Sequence, residues 1–127
     1  MKTLALAVAF CGLSAVSAMA DPVLGVWKTQ VDDGAYAHVT MAPCGGKICG
    51  VISRTFKSSG EYKSPNIGKK LVWDMQAQGN GNYKKGQIWQ PSTDKIFKSK
   101  MALNGDSLKV SGCVGPICKK QTWSRVQ

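Results

Sequence analysis

The sequence is poor in the residue types that build most catalytic centres. It has one histidine, His38, and seven aspartates and glutamates among 127 residues. One imidazole cannot build a histidine-rich metal site, and a nucleophile–base set needs a second group that the pattern does not locate. Alternation with its neighbours places His38 on the polar face of a strand, so we interpret it as a structural or surface residue. We predict no catalytic residues, metal ligands or cofactor, and we expect a protein that is not an enzyme.

The few acids offer little for hydrolysis. Five of the seven lie in apparent turns or beside a predicted chain end, where local hydrogen bonding favours aspartate. A hydrolase with paired carboxylates needs two acids that oppose each other across a cleft. Asp74 and Glu61 are the candidates for such a pair, and an uncharacterised hydrolase built on them is one alternative function.

Long apolar runs are absent after the first twenty residues. That opening stretch has Lys2, an apolar run that begins at residues 4–10, and the small residues Ala18 and Ala20 at the positions that a signal peptidase reads. The pattern is typical of a cleaved secretory signal, and its apolar part is too short to span a bilayer stably. We therefore predict a signal peptide over 1–20 and a single mature domain over 21–127, which is periplasmic or secreted.

The chain has five cysteines, and their spacing is informative. Cys11 follows Phe10 rather than the small residue that lipoprotein processing requires, so we expect it to be removed with the signal. Four cysteines remain: Cys44, Cys49, Cys113 and Cys118. An even number in a short exported chain favours disulfides over a four-thiolate zinc site, for which the spacing within each pair is wide. Because Gly45-Gly46 and Gly115-Pro116 bend the chain inside each pair, we predict the local bridges Cys44–Cys49 and Cys113–Cys118.

Arginine is also scarce, although the chain is strongly basic. Residues 21–127 hold fourteen lysines but only Arg54 and Arg125, and sixteen bases minus seven acids give a net charge of +9. Lysine supplies diffuse, hydrated charge rather than the forked hydrogen bonds that read phosphate or carboxylate specifically. Such a surface suits weak attraction to an anionic envelope surface. Basic and aromatic residues together also suit single-stranded nucleic acid, but an exported protein rarely meets that partner.

No long segment has helical periodicity, whereas apolar and polar residues alternate in several short runs. Alternation over residues 35–41 and 95–103 is typical of half-buried strands. Asp33-Gly34 and Asn104-Gly105 are hairpin signals between such runs. We predict strands near 24–31, 35–42, 47–54, 69–75, 86–90, 95–103, 107–113 and 117–126. The sequence thus predicts an all-β domain, an antiparallel meander closed into a barrel, in which 55–68 has no pattern and 76–85 is a mobile loop.

Aromatic residues could line an apolar pocket or close the ends of such a barrel. Core filling is the alternative for each tryptophan, because an indole buries a large apolar area. The candidates for ligand contact or barrel-end packing are Trp27, Tyr36, His38, Trp73, Trp89, Trp123 and Arg125.

Gly25-Val26-Trp27 on the predicted first strand, with Arg125 two residues after Trp123, resembles the lipocalin and calycin arrangement. In that superfamily a Gly-x-Trp opens the first strand, and a late arginine packs over that tryptophan. Of the lipocalins' middle Thr-Asp-Tyr motif, Thr93-Asp94 is present but Lys95 follows it, and the mature chain is short for a lipocalin.

A closer resemblance covers nearly the whole mature chain. The matching stretches are Gly25–Trp27, Pro43–Ile52, Gly86–Pro91, Leu108–Gly112 and Gln121–Val126. They resemble a family of small exported bacterial proteins catalogued as a domain of unknown function, DUF2147. The resemblance implies a lipocalin-like barrel in the periplasm and carries no established activity or ligand.

Composition and resemblance together favour a binding protein. We expect an exported, non-enzymatic barrel that binds a small apolar or amphipathic ligand or an anionic envelope component. The first alternative is a protein-interaction module or inhibitor that acts in the periplasm, for which a barrel filled by side chains would be expected.

Overall fold

The computed structural model describes residues 21–127, in which nine β-strands form one sheet. Residues 1–20, on which the predicted signal peptide falls, lie outside the described residues. The strands are β1 (Gly25–Lys28), β2 (Ala35–Cys44), β3 (Lys47–Lys57), β4 (Gly60–Tyr62), β5 (Lys70–Gly79), β6 (Asn82–Gln90), β7 (Lys95–Asn104), β8 (Ser107–Val114) and β9 (Ile117–Arg125). Between Asp21 and Gln127 there is no helix long and apolar enough to cross a membrane.

Eight of the strands close into an antiparallel barrel. Neighbouring strands follow the order β2-β1-β9-β8-β7-β6-β5-β3, and pairing of β2 with β3 completes the ring. The first strand meets the last through Trp27 opposite Arg125 and Lys28 opposite Ser124. The short strand β4 only extends the end of β3. The predicted all-β meander barrel is confirmed.

Tight turns set the register of the hairpins. Asp33 and Gly34 both have positive φ, 52° and 75°, and Asn80 and Gly81 have φ of 57° and 78°. Two successive residues with positive φ are the requirement of a type I′ turn, which matches the twist of the strands on either side. Asn80-Gly81 therefore joins β5 to β6, and the prediction of a mobile loop over 76–85 is wrong.

The bulges of these two strands explain the error. Asp74 in β5 and Lys85 in β6 have φ of 60° and 65°, and the β6–β7 pairing shifts register between Tyr83 and Gly86. Each bulge moves the apolar positions by one residue, so that neither strand alternates along its whole length. The segment 55–68 was likewise without a pattern, yet it holds the end of β3, all of β4 and an irregular connection.

The two ends of the barrel differ in packing. One end carries the turns at Gly45-Gly46, Asn80-Gly81 and Gly105-Asp106, and we call it the closed end. The other, which we call the open end, carries the loops over 29–34, 63–69 and 91–94 and the Gly115-Pro116 turn. Fully buried side chains fill the closed half; the largest are Trp27, Trp123, Met41, Met75 and Leu108.

Candidate functional site

The barrel holds a cavity of about 640 Å³ at its open end. Its buried lining residues are Thr29, Ala37, Ile52, Thr55, Leu71 and Ile88. Volumes of this size are typical of sites for small ligands. The cavity thus has a closed inner part and faces solvent through the loops of the open end.

The inner part of the cavity is effectively apolar. The hydroxyl oxygen of Thr29 accepts a hydrogen bond from the Ala37 amide at 3.0 Å. The hydroxyl of Thr55 donates to the Tyr62 carbonyl and accepts from the Ser64 amide. Since both hydroxyls already have protein partners, the alkyl side chains of the inner lining, from Ile52 to Ile88, set its character.

Strand β9 contributes the polar side of the cavity. Ile117, Lys119, Lys120 and Gln121 line it, and all but Lys120 are in phase with buried Trp123 along the strand. The Gln121 side-chain oxygen accepts a hydrogen bond from the Trp123 indole N–H at 2.6 Å. The Gln121 amide nitrogen and the ammonium groups of Lys119 and Lys120 are therefore the donors that this strand offers to a ligand.

Lys119 and Gln121 were not among the ligand-contact residues predicted from the sequence. The signal that could have found them is the period of two counted back from Trp123, which puts every second residue of β9 inside the barrel. Two acids of the loop between β1 and β2, Asp32 and Asp33, also line the cavity.

Arg125 and the residues that precede β1 seal the closed end. The guanidinium carbon of Arg125 lies 4.4 Å from the ring centroid of Trp27. Its Nη1 and Nη2 donate to the carbonyls of Leu24 and Pro22 at 3.1 and 2.7 Å. The arginine thus stacks on the tryptophan, as the lipocalin resemblance implies, and also holds the chain that enters the barrel.

A second contact fastens the same segment. The Tyr83 hydroxyl donates to the Asp21 carboxylate, which also accepts from the Val23 amide at 2.9 Å. Burial, together with this carboxylate, raises the pKa of Tyr83 above its usual range, so the phenol stays protonated and remains a donor.

The remaining candidate aromatic residues are divided between cavity and outer wall. Tyr36 and Trp89 are among the residues that line the cavity, although the Tyr36 ring stacks on Phe56 of the outer wall with centroids 4.9 Å apart. Trp123 lies with Trp27 in the core of the closed half. The Trp73 indole N–H donates to Gln87 at 2.7 Å on the outer wall.

His38 lies on the outer wall beside Phe56, with ring centroids 4.7 Å apart. Partial burial and the nearby positive charge of Arg54 lower the pKa of His38, which keeps the imidazole neutral near pH 7.

The two candidate hydrolytic carboxylates have separate surroundings. Glu61 forms an exposed ion pair with Arg54 at 2.6 Å. Asp74 lies in a groove on the outer wall, next to Lys84 and Lys98. Neither carboxylate lines the cavity at the open end.

The four cysteines form the two local bridges that the sequence predicts. Cys44–Cys49 spans a Cα–Cα distance of 5.7 Å in the hairpin at the closed end. Cys113–Cys118 spans 4.0 Å in the hairpin at the open end. The second bridge lies directly below Val114 and Ile117, which line the mouth of the cavity.

Comparison with known proteins agrees with this architecture. Protein HP1028 of Helicobacter pylori, described as belonging to the lipocalin family, has a similar structure with a TM-score of 0.65 at 18% identity, over 83% of each chain. Fatty-acid-binding protein 1 of Echinococcus granulosus gives a TM-score of 0.47 at 14% identity, over 83% of this chain and 98% of that one. No curated protein matches the sequence. The family model of uncharacterized proteins conserved in bacteria, DUF2147, matches residues 25–125, and the chain belongs to that family.

Proposed function

We propose that the protein binds a small amphipathic molecule in the cavity at the open end of the barrel. The observation that carries the proposal is the cavity itself, about 640 Å³ inside a barrel whose other half is filled with side chains. An interaction module would be expected to have a filled barrel, so the open cavity favours the ligand-binding function over that alternative. The proposal involves no chemical step.

The lining indicates how such a ligand would lie. Its apolar part would pack against Ile52, Leu71 and Ile88, where the hydroxyls of the threonines are already satisfied. Its polar or anionic part would face Lys119 and Gln121 near the mouth. Transfer of the apolar part from water supplies the affinity, and the polar contacts orient the molecule.

Export belongs to the same proposal. The signal pattern over 1–20 and the two disulfides support a periplasmic or secreted protein, because disulfides persist in oxidising compartments. The net charge of +9 over 21–127 supports weak attraction to an anionic envelope surface. Amino-terminal sequencing of the exported protein should begin Asp-Pro-Val-Leu, and an amino terminus with a lipid-modified Cys11 would refute the cleavage site.

Substitution of Gly112 tests the cavity directly. This glycine lines the cavity, and a Cβ built there would lie 3.5 Å from Ile88 Cγ2, an ordinary contact distance. Gly112→Leu therefore fills the cavity from its wall. Fluorescence titration with 8-anilinonaphthalene-1-sulfonate, an amphipathic anion, should show binding that falls by about tenfold or more in this variant.

The matched control is Ala102→Leu, which adds a similar side chain to the exposed outer face of β7. It should bind the probe as the natural chain does. Absence of binding to the natural chain, or equal binding by the Gly112 variant, would refute a ligand in this cavity. Native mass spectrometry of protein purified from its own compartment would then identify the natural ligand by mass.

A further inference from the structure

The exposed large apolar side chains are concentrated at one end of the barrel. Six are exposed among the described residues, and five of these belong to the open end: Val31, Ile67, Ile96, Val114 and Ile117. The sixth, Val126, is at the closed end. We call the five the apolar rim. They come from four separate connections, so no single strand or loop explains their common position.

Three of these residues line the mouth of the cavity, and the other two lie next to residues that line it. Val31, Val114 and Ile117 line the opening. Ile67 follows Asn66, which also lines it, and Ile96 pairs across the sheet with Trp89, another lining residue. The exposed fraction reaches 67% at Val114 and 76% at Ile117, the two strand residues that flank the Gly115-Pro116 turn. The apolar rim thus projects from the barrel rather than packing into it.

Lysines accompany the apolar rim. Five lysines lie in or directly beside the loops over 29–34, 63–69 and 91–94, namely Lys28, Lys63, Lys69, Lys70 and Lys95, and Lys119 and Lys120 line the cavity. The same loops hold Asp32, Asp33 and Asp94, so seven lysines minus three acids give a net charge of +4. The acids help to hold the loops together: Asp32 accepts from Ser92 at 2.9 Å, and Asp94 accepts from the Trp89 indole at 2.8 Å. None of these seven lysines forms a salt bridge among residues 21–127.

We propose that the protein docks on an anionic lipid bilayer through its open end, with the apolar rim inserted among the headgroups and the mouth of the cavity facing the lipid. A protein interface has a continuous, closely packed apolar core, whereas these five side chains are spread around an opening. A fluid bilayer admits each of them individually. Long lysine side chains suit the same surface, because their charge can reach phosphates without a fixed geometry.

Docking adds to the proposed function without depending on it. In this orientation an amphipathic ligand could pass between bilayer and cavity without crossing water, and its anionic group would remain near Lys119. The bilayer contact itself needs only the apolar rim and the lysines. Each test therefore has its own variants.

Vesicle sedimentation tests the docking surface. The probe is a vesicle of phosphatidylcholine with phosphatidylglycerol, compared with one of phosphatidylcholine alone. The double variant Ile67→Asp with Ile96→Asp should bind the anionic vesicles at least about tenfold more weakly, because two apolar contacts are lost and two negative charges are added. Neither residue lines the cavity, so the uncharged variant Ile67→Asn with Ile96→Asn should also weaken vesicle binding but leave binding of the fluorescent anion unchanged.

The lysines give an independent arm. Lys63→Gln with Lys95→Gln should weaken binding about fivefold for each lysine removed. Lys84→Gln with Lys100→Gln removes the same charge from the groove on the outer wall and should have little effect. Val126→Asp is the matched apolar control at the closed end. Circular dichroism of each variant verifies the fold.

Several results would overturn the proposal. Failure of the natural chain to bind anionic vesicles would refute docking, even if the fluorescent anion still binds in the cavity. Equal loss in the outer-wall or closed-end variants would replace oriented docking by general charge attraction. Equal binding to vesicles without phosphatidylglycerol would refute the role of the lysines, and capture of a protein partner by a chain that ignores vesicles would assign the apolar rim to that partner.

Discussion

Arg125 lies over Trp27, and the same two residues face each other where the last strand pairs with the first. Only two residue pairs join these strands, which makes this the shortest seam of the barrel. The guanidinium therefore supports the ladder with side-chain contacts at the place where backbone pairing is least extensive. Its hydrogen bonds to the carbonyls of Pro22 and Leu24 extend that support to the chain before β1.

Replacement of Arg125 should destabilise the barrel at this seam. Arg125→Ala removes a cation–π contact, an ion pair with Asp106 and two hydrogen bonds from a charged donor, and we expect a loss of about 2–4 kcal/mol in the free energy of unfolding. Urea titration measures it. Arg54→Ala is the control, because Arg54 sits in an exposed ion pair and its removal should leave stability nearly unchanged. Similar losses in both variants would contradict the role of Arg125.

Trp27 should behave as a core residue. It is fully buried, and its indole N–H donates to the Val23 carbonyl at 2.9 Å. Trp27→Ala should cost about 3–5 kcal/mol in urea titration, since a large side chain is removed from a packed interior. Trp73→Ala, on the outer wall, should cost clearly less. Unchanged stability of the Trp27 variant would mean that the indole is accessible and free for ligand contact.

The disulfide pairing can be read by digestion after lysine and arginine without reduction. Peptide 110–119 should appear alone and lighter by the two hydrogens of its internal Cys113–Cys118 bridge. Peptides 29–47 and 48–54 should stay joined through Cys44–Cys49 until a reductant is added. A product that links either of these to 110–119 would disprove local pairing. Each bridge closes a short ring, so its removal should cost only about 2 kcal/mol.

The pKa of His38 should respond to the charged side chains beside it. Burial and Arg54 lower the pKa of His38, while Glu61 raises it. Proton NMR should therefore give a midpoint below 6.5, the ordinary value, and the signal is unambiguous because the chain has one histidine. Arg54→Gln should raise the pKa, and Glu61→Gln should lower it further. Shifts in the same direction would contradict the electrostatic explanation.

The same shift predicts how stability depends on pH. His38 binds its proton more weakly in the folded chain than in the unfolded chain, so unfolding takes up a proton at mildly acid pH. This residue's contribution is complete above about pH 6.5 and is lost as the pH falls below that value. His38→Gln should flatten this part of the stability curve, as measured by urea titration at several pH values.

Much of the fold could be predicted because its signals are local. The Asp33-Gly34 turn and the alternation over residues 35–41 each specify their own hairpin without reference to distant residues. The β5–β6 hairpin was missed, although Asn80-Gly81 is a strong turn signal. The bulges at Asp74 and Lys85, which have positive φ, interrupt the alternation of apolar and polar residues on both sides of that turn. A pattern with a fixed period of two therefore does not detect these strands.

The cavity was less predictable than the barrel. Trp27 and Trp123 were recognised as large side chains for a core or a barrel end, but their sequence positions do not say which end of the barrel remains unfilled. That depends on Arg125 and Tyr83, which hold residues 21–24 against the closed end, across more than sixty residues of chain in the case of Tyr83. Lys119 and Gln121 are polar residues that face inward, so a rule that equates polar with outward misplaces them.

The seal that Arg125 and Tyr83 make at the closed end has a consequence for how a ligand would enter and leave the barrel. Among residues 21–127 the seal leaves the open end as the route into the cavity, so a ligand bound there would enter and leave through the same opening. The structure of the barrel would therefore give ligand transfer no preferred direction. Net transfer of a ligand would therefore require that loaded and empty molecules bind at different places. A molecule that competes for the open end would slow release of the ligand as much as its uptake.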